Sequence, residues 1–133
     1  MLAVYISIRC VGLAVAVNFM KQYDIRGHVT LTTDSLIVET ASARKEYYLD
    51  QLENLRIYCN EFEGDPPGPR SYTKKRGINN HLKFNYEMTE VSYRLLFKRE
   101  YINPLNTLFE AWRDNNYRFR VYNSWGMKTK QLS

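Results

Sequence analysis

The chain has 133 residues, a formal net charge of +5 at pH 7, and 14% aromatic residues. This length suits a single domain that buries its own core, without help from disulfides or metals. The two cysteines, Cys10 and Cys59, form no CxxC pair, which argues against a disulfide framework and favours a reducing compartment. We interpret Cys59 as a small core residue, because it lies in a run of alternating apolar residues.

Residues 1–22 form an apolar N-terminal segment that is a candidate membrane helix. Its first 20 residues, MLAVYISIRCVGLAVAVNFM, carry Arg9 as their only charge and are just long enough to span a bilayer. Lys21 and Arg26 follow, and basic residues there favour a cytoplasmic position for the rest of the chain. Two alternatives are a helix or strand buried in the domain and a signal peptide.

Apolar residues alternate with polar ones from residue 27 onward, which is the pattern of β-strands. The pattern predicts strands at 28–33, 35–40, 45–49, 55–60, 82–86, 91–98 and 117–122, with one helical turn within 50–54 and a hairpin turn at Met88-Thr89. The tail, residues 123–133, is short and polar apart from Trp125 and Met127.

One helix is predicted near the C-terminus, over residues 104–115. Asn103 is a suitable N-cap, and Pro104 suits the first helical position. Asn115-Asn116 can end the helix through a left-handed residue. An apolar stripe at i, i+3, i+4 and i+7 would pack on the sheet, and it consists of Leu105, Leu108, Phe109 and Trp112.

Residues 63–80, EGDPPGPRSYTKKRGINN, are rich in proline and glycine and predict a long loop. Four cations within it are candidates for binding anionic lipid: Arg70, Lys74, Lys75 and Arg76. Near an anionic leaflet each cation contributes about 1 kcal/mol, so the four matter only together. The alternative is a solvated loop without a ligand.

The positive charge is concentrated in the second half of the chain. Residues 67–133 carry 13 basic and 5 acidic side chains, whereas residues 1–66 carry 6 basic and 9 acidic ones. An alternative basic face would consist of Arg94, Lys98, Arg118 and Arg120. A sheet surface rich in tyrosine and arginine can bind single-stranded nucleic acid, although the chain has no RNP-type aromatic motif.

The sequence shows no pattern typical of an enzyme. The only histidines, His28 and His81, have no metal-ligand spacing, and there is no GxSxG sequence and no P-loop. Glu61, Glu63 and Asp65 form an acidic run, which we interpret as a solvated loop entrance. We therefore expect no catalytic residues, no metal and no cofactor.

The order of strands followed by a late helix resembles a pleckstrin-homology-like domain. The resemblance covers residues 27–122 and lies in HVTLTTDSLIVE, YYLDQLENLRIYC, HLKFNYE, EVSYRLLFKRE and NPLNTLFEAWRDNNYRFRVYN. The last segment looks like the closing helix of small uncharacterised bacterial membrane-anchored proteins that carry such a domain. The resemblance implies a mainly β (α+β) fold, in which one packed C-terminal helix fills a bent antiparallel sheet or partly open barrel. A strand after the helix departs from the usual order.

These observations together predict a non-enzymatic binding or regulatory module. The resemblance places it at the cytoplasmic face of the bacterial inner membrane, with an anionic lipid surface or a membrane protein as its partner. The alternative is a soluble cytoplasmic, β-rich domain that binds nucleic acid through its basic C-terminal half.

Overall fold

The computed structural model describes residues 14–21, 24–67 and 73–133. Within them, short 3-10 turns occupy Leu49–Gln51 and Arg99–Tyr101, and the helix α1 covers Ile102–Asp114. The strands are β1 (Val15–Lys21), β2 (Asp24–Leu31), β3 (Ser35–Thr40), β4 (Arg44–Tyr48), β5 (Glu53–Tyr58), β6 (Asn80–Tyr86), β7 (Thr89–Leu95), β8 (Phe119–Tyr122) and β9 (Lys128–Thr129).

All nine strands belong to one sheet, in the order β4-β3-β2-β1-β7-β6-β5-β8-β9. Strands β1 to β4 form one antiparallel meander and β5 to β7 form another, and the pairing of β1 with β7 joins the two. Strand β8 pairs with β5 in parallel, because α1 carries the chain back before β8 begins. The prediction of a mainly β, mainly antiparallel fold with one C-terminal helix is confirmed.

The sheet bends back over its own inner face. Tyr47 lies on β4 at one end of the strand order, yet its ring centroid is 4.9 Å from that of Phe84 on β6. A flat sheet would hold these strands about 24 Å apart, five spacings of roughly 4.8 Å. In the described residues β4 and β9 both remain edge strands, so the sheet is open rather than closed.

Helix α1 fills the space inside the bend. Its stripe of Leu105, Leu108, Phe109 and Trp112 is buried, as predicted. The Trp112 indole N–H donates to the carbonyl of Thr32 at 2.7 Å, between β2 and β3, and its ring meets Phe119 of β8 edge-on at 5.1 Å. The helix therefore connects the two halves of the sheet through one shared core.

The end of the apolar N-terminal segment is a strand, not the predicted helix. Within β1, Val15 and Val17 are buried and Ala16 is exposed, which is the period of two that a strand requires. Residues 15–21 therefore cannot belong to a membrane helix over residues 1–20, and residues 1–13 lie outside the described part. None of the helices in the described ranges is both long and apolar enough to cross a membrane.

Three local predictions differ from the structure. Helix α1 begins at Ile102, directly after a 3-10 turn, so Asn103 lies inside the helix and is not its N-cap. The hairpin turn between β6 and β7 is formed by Glu87 and Met88, both with positive φ, and Thr89 already belongs to β7. The tail was predicted to be short and polar, but it contains β9, and Leu132, which follows β9, is buried. The left-handed residue that ends α1 is Asn116, with a φ of 63°, as predicted.

Candidate functional site

The outer face of the second half of the sheet carries a row of basic and aromatic side chains. Cross-strand pairing joins Arg94 to His81, His81 to Tyr58, Tyr58 to Tyr122, and Tyr122 to Lys128. The neighbours of these residues along each strand, such as Leu95 and Leu82, point into the core. We call these five residues the outer row; it crosses β7, β6, β5, β8 and β9, a distance of about 19 Å.

Tyr58 and Tyr122 stack on each other within the outer row. Their ring centroids are 4.9 Å apart and their planes differ by 10°. The Lys83 ammonium lies 5.8 Å from the Tyr58 ring, and the Arg120 guanidinium lies 5.9 Å from the Tyr122 ring. Cations at this distance from a ring are attracted by its electron density. The two tyrosines therefore hold Lys83 and Arg120 in place on the outer face.

A shallow cleft of about 470 Å³ lies beside the end of the outer row, where α1 turns into β8. Its cations come from three separate parts of the chain. We call it the basic cleft, and its cations are Arg113, Arg118, Arg120, Lys128 and Lys130. Among the described residues that line it none is acidic, and none of the five cations takes part in an ion pair there. A cleft lined by one sign of charge concentrates the electrostatic field and attracts anions.

The positive charge of the outer face affects the pKa of His81. Its pKa is lowered from the ordinary value of 6.5, first by partial burial and then by the nearby charges of Lys83 and Arg94. The two cations disfavour a third positive charge between them. An anion bound over the outer row would reverse this effect.

The candidate cations of the long loop lie in a different electrostatic setting. Lys74 and Arg76 are exposed and Lys75 is half-buried, whereas Arg70 lies outside the described residues. The segment that carries them runs beside the acidic run: the Gly64 N–H donates to the Lys75 carbonyl, and the Lys75 N–H donates to the Asp65 carbonyl, each at 2.9 Å. Carboxylates beside these cations reduce the positive potential of the loop.

The acidic run itself has a structural role. Glu61 Oε2 accepts a hydrogen bond from the Gly77 N–H at 2.8 Å, and Asp65 Oδ1 accepts one from Arg99 Nε at 2.8 Å. Gly77 has a φ of 74°, and a Cβ there would collide with the backbone of Glu63 and Phe97. The base of the long loop is therefore fixed to the sheet, and these carboxylates are occupied in fixing it.

The structure brings together two of the four residues of the alternative basic face. Arg118 and Arg120 both line the basic cleft, and the Arg120 guanidinium also donates to the Asn54 side chain. Arg94 lies on the same outer face but three strands away from β8, and its Nε donates to the Ile78 carbonyl at 2.7 Å. Lys98 follows the end of β7 and lies beside Glu63 and Glu100, away from the sheet surface.

Three further cations of the basic cleft, Arg113, Lys128 and Lys130, were not among the candidates predicted from the sequence. Lys128 and Lys130 were assigned to a polar tail, because a two-residue strand gives almost no periodic signal. Arg113 lies on α1 outside its apolar stripe, and no motif in the sequence singles it out. The excess of positive charge after residue 67 was the one signal that pointed to them.

The remaining reactive residue types do not assemble into a site in the described residues. Cys59 is buried, as predicted, and burial raises the pKa of its thiol to about 12, so the nucleophilic thiolate does not form at neutral pH. The described ranges contain no group of three or more His, Cys, Asp and Glu side chains placed to hold a metal ion.

Comparison with known proteins adds no family to this description. No family model matches the chain, and no curated protein matches it.

Proposed function

We propose that the chain is a non-enzymatic binding module that attaches to an anionic surface at the cytoplasmic face of a bacterial membrane. The observation that carries the proposal is the basic cleft, whose described lining includes five cations and no acidic residue. Anionic headgroups attract such a cluster with about 1 kcal/mol per cation. The cytoplasmic position is taken from the resemblance to membrane-anchored bacterial proteins, because Lys21 and Arg26 lie on strands β1 and β2 and flank no membrane helix in the described residues.

The fold is consistent with a pleckstrin-homology-like domain, and we include this assignment in the proposal. Seven antiparallel strands precede α1, the sheet bends back on itself, and α1 closes the open space. Strands β8 and β9 are additions to that order. Four of the five cations of the basic cleft lie in these two strands or directly next to them. Fold alone does not fix a ligand, so the ligand class rests on the charge of the cleft.

The test compares two variants of equal charge in the full chain. The cleft variant replaces Arg118, Lys128 and Lys130 by glutamine, and the loop variant replaces residues 74–76 by glutamine. We expect the cleft variant to bind vesicles of phosphatidylcholine with 30% phosphatidylglycerol roughly 100-fold less tightly, since three cations contribute about 3 kcal/mol. The loop variant should change binding only a few-fold. Vesicle sedimentation measures both.

The result that contradicts this assignment is an equal or larger loss in the loop variant. Binding would then depend on the long loop, the site that the sequence analysis named first. Binding of the unmodified chain to pure phosphatidylcholine that equals its binding to the anionic vesicles would show that charge is not the determinant.

Nucleic-acid binding is the second candidate, and the outer row is the observation that favours it. Stacked tyrosines between cations can contact the bases and phosphates of a single strand. If this is the function, the chain binds oligonucleotides with an affinity whose logarithm falls linearly with that of the salt concentration. Replacing Arg94, Arg118 and Arg120 should then weaken binding more than the loop variant does. Oligonucleotide binding without vesicle binding, at matched ionic strength, would reject the membrane proposal.

We expect anion binding by the outer row to tighten as the pH falls from 7.5 to 5.5. An anion over the row favours protonated His81, so the pKa of His81 is higher in the bound state than in the free state, where it lies below 6.5. Affinity therefore rises as the pH falls through the bound-state pKa and levels off below the free-state pKa. The increase should be several-fold, measured as the affinity for a single-stranded oligonucleotide between pH 7.5 and 5.5.

His28 supplies the control for this pH effect. It lies on β2, in the other half of the sheet, 3.4 Å from Glu39. His81→Gln should remove the pH dependence, and His28→Gln should leave it intact. A pH dependence that survives in His81→Gln would show that the anion does not lie over the outer row.

A further inference from the structure

The turn between β8 and β9, residues 123–127, presents two large apolar side chains to solvent. The side chain of Trp125 is 84% exposed and that of Met127 is 63% exposed, whereas the other tryptophan of the chain, Trp112, is fully buried. Two exposed apolar side chains within one five-residue turn concentrate apolar surface in water, and concentrated apolar surface is typical of an interaction site.

The turn holds these side chains outward by its own hydrogen bonds. Asn123 Oδ1 accepts the N–H groups of Trp125 and Met127, each at 3.0 Å. The Asn123 N–H donates to the Met127 carbonyl, and the Gly126 N–H donates to the Asn123 carbonyl, both at 2.9 Å. Gly126 takes the positive φ of 71° that closes the turn. The turn is therefore a built structure with an apolar tip.

The chain on both sides of the turn is fixed to the domain. Before the turn, β8 pairs with β5 in the sheet. After it, the Asn106 side chain of α1 bonds both backbone groups of Leu132: Oδ1 accepts from the N–H at 2.7 Å and Nδ2 donates to the carbonyl at 2.9 Å. The apolar tip consequently has a set direction relative to the basic cleft.

Positive charge adjoins the tip. Lys128 and Lys130 are both exposed, follow the turn directly, and line the basic cleft. Asp65 lies near Trp125, since both line one small cavity, but its Oδ1 is bonded to Arg99 Nε at 2.8 Å. The surroundings of the tip therefore attract anions.

We propose that the β8–β9 turn inserts Trp125 and Met127 into the interfacial layer of an anionic bilayer, while Lys128 and Lys130 contact the headgroup phosphates. This inference rests on the proposed function and names the element that touches the lipid. An anionic bilayer can bind both the apolar tip and the lysines beside it. Tryptophan prefers the membrane–water interface, and the lysines are complementary in charge to the headgroups. A single-stranded nucleic acid could contact the lysines and stack a base on Trp125, but it offers Met127 no hydrocarbon.

Tryptophan fluorescence tests the insertion in the full chain. Vesicles of phosphatidylcholine with 30% phosphatidylglycerol, carrying brominated acyl chains, quench a tryptophan that reaches the hydrocarbon. The chain has two tryptophans, and Trp112 is shielded by the protein core. We expect quenching and a blue shift of emission in the unmodified chain and neither in Trp125→Phe, which retains only Trp112.

Vesicle sedimentation supplies the second measurement. We expect Trp125→Ala to weaken binding by about 10-fold or more, because burial of a large apolar side chain contributes at least that factor. Met127→Ala should also weaken binding. The matched control is Met88→Ala: Met88 is fully exposed in the β6–β7 turn, at the opposite end of these strands, and its replacement should leave binding unchanged.

The outcomes separate this inference from the proposed function. Binding to the anionic vesicles without quenching, and with full affinity in Trp125→Ala, would overturn the insertion and leave the basic cleft as the contact. No binding to vesicles at all would overturn both. An equal loss of binding in Met88→Ala would show a general hydrophobic effect and would also overturn the insertion.

Discussion

Replacing Trp112 by alanine is expected to lower the free energy of unfolding by about 3–5 kcal/mol, the range for truncating a large core aromatic residue. Trp112 is fully buried, and its indole N–H bonds the Thr32 carbonyl at 2.7 Å. Its ring also packs edge-on against Phe119 at 5.1 Å. The substitution removes the contact that ties α1 to both halves of the bent sheet. Urea unfolding followed by circular dichroism measures the change.

Trp125→Ala is the matched control for this stability experiment. The same residue type is removed, but Trp125 is 84% exposed, so the expected change is below about 0.5 kcal/mol. An unchanged midpoint of unfolding in Trp112→Ala, or equal losses in the two variants, would contradict the packing of α1 as the closing element of the core.

The elements with a strong local pattern could be predicted from the sequence. Strand β3 has the predicted bounds, 35–40, because a Thr-Asp-Ser turn signal begins it and the short segment that follows is rich in the β-branched residues Ile37, Val38 and Thr40. The apolar stripe of α1 has a spacing that only a helix places on one face. In both cases residues close in the chain carry the information, so the prediction needs no knowledge of the partners.

Strand β1 could not be recognised in the same way. Val15, Ala16 and Val17 are all apolar, so the alternation of buried and exposed positions is invisible in their hydrophobicity. The strand lies between β2 and β7, and only those partners decide which residue points inward. A continuous apolar run is compatible with a membrane helix or a buried strand, and periodicity does not distinguish them.

The candidate site was predicted only in part, for a related reason. Its cations become neighbours through the parallel pairing of β8 with β5 and through the short hairpin to β9. Arg118 and Arg120 share one face of an alternating segment, which the sequence shows. Their proximity to Arg113 depends on how α1 packs, and no local pattern encodes that contact.

Replacing Asn80 by leucine is expected to lower the free energy of unfolding by roughly 2–6 kcal/mol, since it removes two buried and two part-buried hydrogen bonds, and each buried group left without a partner costs about 1–3 kcal/mol. Asn80 is fully buried at the start of β6. Its Oδ1 accepts the N–H groups of Asn60 at 2.8 Å and Glu61 at 3.0 Å, and its Nδ2 donates to the carbonyls of Gly77 at 2.6 Å and Leu95 at 3.2 Å.

These four hydrogen bonds join both ends of the long loop to β7. The substitution should therefore destabilise the base of the loop in particular, in addition to the whole domain. Hydrogen exchange at the N–H groups of Asn60 and Glu61 should accelerate more in Asn80→Leu than exchange in β3, which lies in the other half of the sheet. Asn79→Leu is the matched control. Asn79 is adjacent to Asn80 in the sequence but is exposed, so the change in the free energy of unfolding should stay below about 0.5 kcal/mol. If Asn80→Leu were as stable as Asn79→Leu, the loop base would not depend on this side chain. The base of the loop would then be held by its other hydrogen bonds, such as the one that the Gly77 N–H donates to Glu61 Oε2.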